Sequence, residues 1–434
     1  MGCCDMSQLC LTAEEQAMLD GGRGPGVKRA MEIVVALARI YGAADLVPVT
    51  HAQIAGVSYK NLGDAGVEFL NRWADEGAQV RVPTTLNPMG MERGKWQAWG
   101  IQPSFATPQL SVIDAFIKMG VTPTMSCTPY LFQAYTPKRG DVLAWAESSA
   151  VAYANSVIGA RSNREGGPSA IAAAIVGRTA RYGFHLDENR QANWIIEARC
   201  PIRSVADFGA LSYLVGKAVG NGVPWFADLA AWLPPLPTDL TVGGPAGDRL
   251  KTLGAGLAAY GAVALYHIAG YTPEARDAGA ALIRPDAKRL VVESLADAYR
   301  VMDADPDLRQ IDLVTVGCPH ASLNEIAQVA DYLRGKTLAT RLWVTTGAIT
   351  RQAATELGYV QAIEAAGGEV VADTCAVVAP MRMLNVRSMA TNAGKMACYA
   401  PMHSGVKMRF GDIDACLDAA VTGEWRGEQM SSYA

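Results

Sequence analysis

The sequence has no run of lysines and arginines, and its 38 basic residues are outnumbered by 42 acidic ones, giving a formal net charge of −4. Nucleic-acid binding depends on clustered cations that displace counterions, so that class of partner is excluded. The amino terminus, Met-Gly-Cys-Cys-Asp-Met, lacks the basic start and apolar stretch of a secretion signal. Met6 stands where a myristoylation signal requires Ser or Thr. One stretch, Leu253 to Tyr271, has no formal charge. It is dominated by Gly and Ala and contains His267, so it reads as a buried helix rather than a membrane span. These absences predict a soluble, cytoplasmic chain. There is no Cys-x-x-Cys pair among the 9 cysteines, which excludes a zinc ribbon or a thioredoxin-like site. An odd, irregularly spaced set in a reducing compartment points away from disulfides, towards thiols that pack in the core or bind metal. No glycine loop of the Walker or dinucleotide type is present.

Half of the 434 residues are apolar and only 18% are charged, the composition of a well-buried enzyme. That length exceeds what one core organises, so two or three packed lobes are expected. One pattern recurs: an amphipathic helix, a glycine cap, a Val-rich strand, then a polar residue. Gly66 to Asn87 predicts a helix, Gly77 and a strand over Ala78–Pro83. Leu110 to Cys127 predicts a helix, Gly120 and a strand from Val121 to Met125; Tyr359 to Cys375 repeats it around Gly367 and Gly368. A further strand, Ile311 to Val316, runs into Gly317-Cys318-Pro319-His320. Alternating helices and strands predict an α/β fold with largely parallel sheets. The Pro- and Gly-rich segment 236–250 is the expected boundary between lobes 1–235 and 251–425, followed by a tail over 426–434.

In parallel sheets ligands sit beyond the carboxyl ends of strands, and Asn87, Cys127, Cys318 and Cys375 all follow predicted ends. Each cysteine alone reads equally as a small buried hydrophobe. Together they are the number that holds an iron–sulfur cluster with one iron left open to substrate. Lys395 reads as a carboxylate or phosphate anchor, or as a solvated helix lysine. Arg161, Asn163, Arg164 and Glu165 are expected in a glycine-flanked loop, either gripping a carboxylate or forming a surface ion-pair network. Glu147 and Ser148 are expected on a helix beginning near Asp141, with Trp145 and Val151 favouring burial. A buried Glu147 should have a raised pKa. His320, two residues from Cys318, is a candidate for hydrogen bonding to the cluster ligands or for proton transfer. His51, His185, His267 and His403 read as structural.

Several segments appear in order: Gly56-Val57-Ser58, Pro83-Thr-Thr-Leu-Asn87, Ser126-Cys-Thr-Pro-Tyr130, Glu147-Ser-Ser149, Gly159 to Pro168, Gly317-Cys-Pro-His320, and Thr391-Asn392 with Lys395. In these the chain resembles the large-subunit portion of aconitase X, a branch of the aconitase superfamily. The resemblance implies an aconitase-like multi-lobe α/β/α architecture without the small swivel domain, and an iron–sulfur cluster on Cys127, Cys318 and Cys375. It implies substrate contacts at Gly56, Val57, Ser58, Asn87, Pro88, Glu147, Ser148 and Lys395, with Arg161 and Arg164 as further candidates. Glu147, His320 and Lys395 are the candidate catalytic groups. Where the family often reads Thr-Asn-Ser-Ala-Lys, this chain has Thr391-Asn-Ala-Gly-Lys395. The motifs run from near the start to near the end, leaving no room for a swivel domain; a separate small subunit in a heterodimer is therefore expected.

Two activities follow from the resemblance: dehydration of cis-3-hydroxy-L-proline to a pyrroline carboxylate, and dehydration of mevalonate 5-phosphate. The Ala/Gly-rich composition with 16 Met is not that of a hyperthermophile and favours the first. The alternatives are the phosphomevalonate enzyme and a non-catalytic, cluster-bearing sensor subunit.

Overall fold

The computed structural model describes residues 9–236 and 243–426. Residues 427–434 of the predicted tail and residues 237–242 of the proposed boundary lie outside them. Three parallel sheets organise the chain. The first has the order Thr84–Leu86, His51–Ile54, Val142–Trp145, Arg161–Arg164. The second is Ile283–Val292, Ala192–Ala198, Pro224–Phe226, His267–Ile268. The third is Glu369–Val371, Arg341–Thr345, Leu313–Val316, Ser388–Thr391, Lys407–Phe410. A small antiparallel pair, Leu46–Pro48 with Arg178–Ala180, completes the sheets of the described residues. The second sheet draws strands from both sides of residues 236–250.

The central strand Leu313–Val316 is buried along its whole length, as its Leu-Val-Thr-Val sequence requires of a strand covered on both faces. The helix Leu323–Leu333 covers it and starts at a capping box in which Ser322 and Glu325 satisfy each other's backbone N–H groups. Gly77, Gly120 and Gly367, placed between helix and strand, adopt positive φ as predicted.

Local predictions shift where backbone donors are missing. The strand predicted over Ala78–Pro83 is Thr84–Leu86 instead, because Pro83 offers only its carbonyl, which accepts from Ala52 N–H at 3.0 Å. Val121 to Met125 forms a single bridge, Thr122 with Thr85. Pro123 lacks a donor and Met125 sits at φ 46°, so the ladder stops. Arg161–Arg164 is an edge strand rather than a loop. The helix expected from Asp141 is the strand Val142–Trp145; Glu147 then caps the helix Ser148–Tyr153 by accepting from Ser149 N–H.

The uncharged stretch is helical only to Gly261, in the helix Pro245–Gly261, and continues into the strand His267–Ile268. Its small residues serve close packing: a Cβ on Gly261 would lie 2.3 Å from the Gly216 carbonyl oxygen of the neighbouring helix Val205–Val219. Among the described residues no helix is long and apolar enough to cross a membrane. Cys10 is disulfide-bonded, against the all-thiol expectation; Cys127, Cys200, Cys318, Cys375, Cys398 and Cys416 are free.

Candidate active site

The carboxyl ends of the first and third sheets face a common cavity of about 220 Å³. Loops after His51–Ile54, Thr84–Leu86 and Val142–Trp145 contribute Gly56, Val57, Asn87, Pro88, Glu147 and Ser148; the edge strand contributes Arg164. From the other sheet come Cys318, just beyond Leu313–Val316, Cys375 beyond Glu369–Val371, and Lys395 in the first turn of the helix Gly394–Ser404. Cys127 completes the lining.

Gly317 makes the approach of Cys318 possible. Its φ is 99°, and a Cβ there would lie 2.2 Å from the Thr345 carbonyl oxygen. The Gly56 and Cys375 loops are joined where Ser58 Oγ donates to the Val378 carbonyl at 3.2 Å. Ser58 is therefore fully buried and supports the wall without lining the cavity.

At the cavity floor Lys395 Nζ donates to Glu147, and Asn87 Nδ2 donates to the other carboxylate oxygen at 2.6 Å. Ser149 adds its Oγ–H at 3.0 Å and its N–H at 3.3 Å. Burial alone would raise the Glu147 carboxyl, but Lys395, Asn87 and Ser149 outweigh it and hold it down to about 2. The expectation of a raised pKa is thus reversed: the residue is buried as foreseen, but beside a cation. Burial likewise disfavours the Lys395 ammonium, and Glu147 more than compensates, raising its pKa.

The three thiols behave differently. Burial, reinforced by Glu147, pushes Cys127 up to about 12; burial also raises Cys318 and Cys375. Among the described residues no group of three or more His, Cys, Asp and Glu side chains converges tightly enough for a single metal ion. Three separated soft donors around one cavity instead fit an iron–sulfur cluster, which Cys127, Cys318 and Cys375 would hold. The His320 N–H points at Cys127 Sγ at 3.2 Å, the kind of hydrogen bond that tunes a ligating sulfur.

Besides Ser58, two more predicted residues lie elsewhere. Arg161 turns outward to Asp187 and the His185 carbonyl. His320 is fully buried behind the cysteines and does not line the cavity; burial pushes its imidazole down to about 4. Conversely Asn61, Val377, Val378, Tyr399 and His403 line the cavity without having been singled out as site residues. Lys395, Tyr399 and His403 sit four residues apart on one helix face, a spacing readable in the sequence once Lys395 is a candidate.

Models of the aconitase X first, second and third domains match residues 8–188, 192–300 and 311–422. The chain is 44% identical over 412 residues to the phosphomevalonate dehydratase large subunit of Methanocaldococcus jannaschii, covering 94% of this chain and 99% of that one. It is 35% identical over 422 residues to the cis-3-hydroxy-L-proline dehydratase of Pseudomonas aeruginosa, covering 95% of this chain and 70% of the relative. The crystal structure of Thermococcus kodakaraensis aconitase X, holo-form, is similar with a TM-score of 0.84 and 42% identity, over 95% of this chain and 100% of that one.

Proposed function

Because this chain belongs to the aconitase X family, we propose that it is the large subunit of a hydro-lyase that dehydrates a small phosphorylated hydroxy acid of the mevalonate 5-phosphate type. The observation that carries the substrate class is the charge of the cavity. Its charged lining groups among the described residues are Glu147, Lys395 and Arg164. The first two neutralise each other, and no carboxylate among the described residues pairs with Arg164. A net positive cavity suits a substrate with two anionic groups better than a zwitterion. Four relatives named as phosphomevalonate dehydratase large subunits, at 42 to 44% identity, support the same reading against 32 to 35% for two named cis-3-hydroxy-L-proline dehydratase, while another large subunit so named stands at 34%. The term "large subunit" in those names supports a separate small-subunit partner.

Dehydration breaks a C–H bond next to a carboxylate and the adjacent C–O bond, forms C=C, and releases water. A cluster held by Cys127, Cys318 and Cys375 supplies, when bound, a Lewis-acid iron for the departing hydroxyl. Lys395 and Arg164 hold the substrate's anionic ends, while Asn87 and Ser148 offer neutral donors that fix its orientation. Glu147, ionised and with a pKa near 2, is a hydrogen-bond acceptor and too weak a base to take a carbon-bound proton at neutral pH. We therefore assign that base to the partner subunit.

A second reading, cis-3-hydroxy-L-proline dehydration, is favoured by Glu147 itself, an ionised carboxylate in the cavity wall that would receive the ring ammonium. Assaying the complex with each substrate separates the two. Formation of the unsaturated acid from mevalonate 5-phosphate is expected; turnover of hydroxyproline alone would replace the first reading by the second.

A further inference from the structure

The three cysteines come from loops far apart in sequence. The buried imidazole of His320, outside the cavity lining, joins those loops. Its Nε2 lies 3.2 Å from the carbonyl oxygen of Thr374, the residue before Cys375. A carbonyl only accepts, so Nε2 carries the proton and Nδ1 is left as an acceptor. Nδ1 lies 3.1 Å from Oγ of Ser126, the residue before Cys127, which therefore donates to it. Thr128 returns the favour, its N–H donating to Ser126 Oγ at 3.2 Å. His320 itself follows Cys318 by two residues. Its N–H donates to Cys127 Sγ, and its carbonyl accepts from Lys251 Nζ at 3.0 Å. Lys251 is in turn held by Glu325, the residue that closes the capping box of Leu323–Leu333. Every polar atom of His320, backbone and ring, is thus used.

We propose that His320 is a positioning residue that locks the Cys127 and Cys375 loops onto its own Cys318 loop, so that the three thiols are placed together before any cluster is loaded. The proposal rests on the cluster reading above for its consequence, but the lock belongs to the chain alone. Buried groups of this kind are worth much when complete, because each unmade bond strands a desolvated partner. The Ser126 hydroxyl and the Thr374 carbonyl have no access to water to replace it: both residues are fully buried.

The two arms can be cut separately. His320→Asn places an amide oxygen near the Nδ1 position and keeps the Ser126 arm. His320→Gln reaches the Nε2 position with an amide N–H and keeps the Thr374 arm. His320→Ala loses both. Two measurements on the assembled complex test the lock. The first is the rate at which anaerobically reconstituted protein gives up iron to a chelator. The second is the rate at which a small maleimide labels Cys127 and Cys375 in the metal-free protein, resolved by mass spectrometry. His320→Ala is expected to speed both by about tenfold or more, the usual scale for removing a group that supports metal ligands, with Asn and Gln intermediate. Labelling at the distant Cys200 should stay unchanged, which separates a local lock from general loosening. If His320→Ala does not fold, Asn and Gln carry the test. Iron release and labelling at wild-type rates in both would overturn the proposal. A variant that keeps its iron and its labelling rates but loses turnover would overturn it in favour of proton transfer. If wild-type protein takes up no iron, the cluster reading fails, and the labelling rates alone decide whether the lock exists.

Discussion

Replacing Lys395 by Met removes the one cation bonded to Glu147 among the described residues; the Glu147 side chain is 10% exposed. The lysine sits in the first turn of a helix, where the dipole disfavours positive charge; its pairing with the Glu147 carboxylate offsets that penalty. The size of the effect follows from the carboxyl's position near pH 2. Returning it to the ordinary value of about 4.3 costs about 3 kcal/mol at neutral pH, and breaking a buried pair usually costs about 3 to 5. Urea unfolding of the metal-free chain at pH 7 should therefore show Lys395→Met destabilised by about 3 kcal/mol. Adding Glu147→Gln should recover much of the loss, because the stranded charge is gone. The folded carboxyl is depressed, so its contribution is present above about pH 4.3 and is lost as pH falls towards 2. The gap between wild type and Lys395→Met should accordingly close below about pH 4. Losses that simply add in the double variant, or a gap that ignores pH, would refute the ion pair as described.

Other outcomes follow from the same structure. His51, which accepts from the Trp145 indole at 2.7 Å, and His185 are pushed by burial down to about 3 and about 4. Their unfolded forms take up a proton near pH 6.5, so each should cost about 1.4 kcal/mol of stability per pH unit below that. His51→Gln should remove one such slope from a series of urea titrations at pH 7 to 5. Gly317→Ala forces a Cβ against the Thr345 carbonyl at a left-handed φ and should cost about 2 kcal/mol or more, read as a lower unfolding midpoint with Cys318 displaced. Arg164→Gln should raise KM for a phosphorylated substrate about tenfold while leaving kcat within a few-fold, since the arginine is assigned to binding rather than to chemistry; an unchanged KM would remove it from the substrate.

Much of this site was legible because parallel strands deliver their following residues to one edge of a sheet. Asn87, Cys318 and Cys375 could be placed by finding Val-rich runs and looking one turn further. Cys127 was found the same way although its strand reduces to one bridge, since Pro123 and Met125 break the ladder without moving the loop. What stayed hidden depends on pairing across the chain. Ser126 and His320 are 194 residues apart, Lys251 and Glu325 74 apart, and no local pattern records either contact. The charge state of Glu147 was misread for the same reason: burial is visible in an apolar neighbourhood, but a lysine 248 residues away is not. Arg161 and Arg164 look alike in sequence, and only the geometry of an edge strand separates the one facing Asp187 from the one lining the cavity. Leu253 to Tyr271 reads as one buried helix, but the helix ends at Gly261, and the reason for its small residues, contact with the backbone at Gly216, is tertiary.

If Cys127, Cys318 and Cys375 together hold an iron–sulfur cluster, iron and acid-labile sulfide will be found in complex purified without oxygen. Both are expected in the wild type, and both are expected to be lost, with the visible charge-transfer absorbance, in Cys318→Ala and in Cys375→Ala. Wild-type protein without iron or sulfide, or the same content after all three cysteines are replaced, would contradict the cluster assignment.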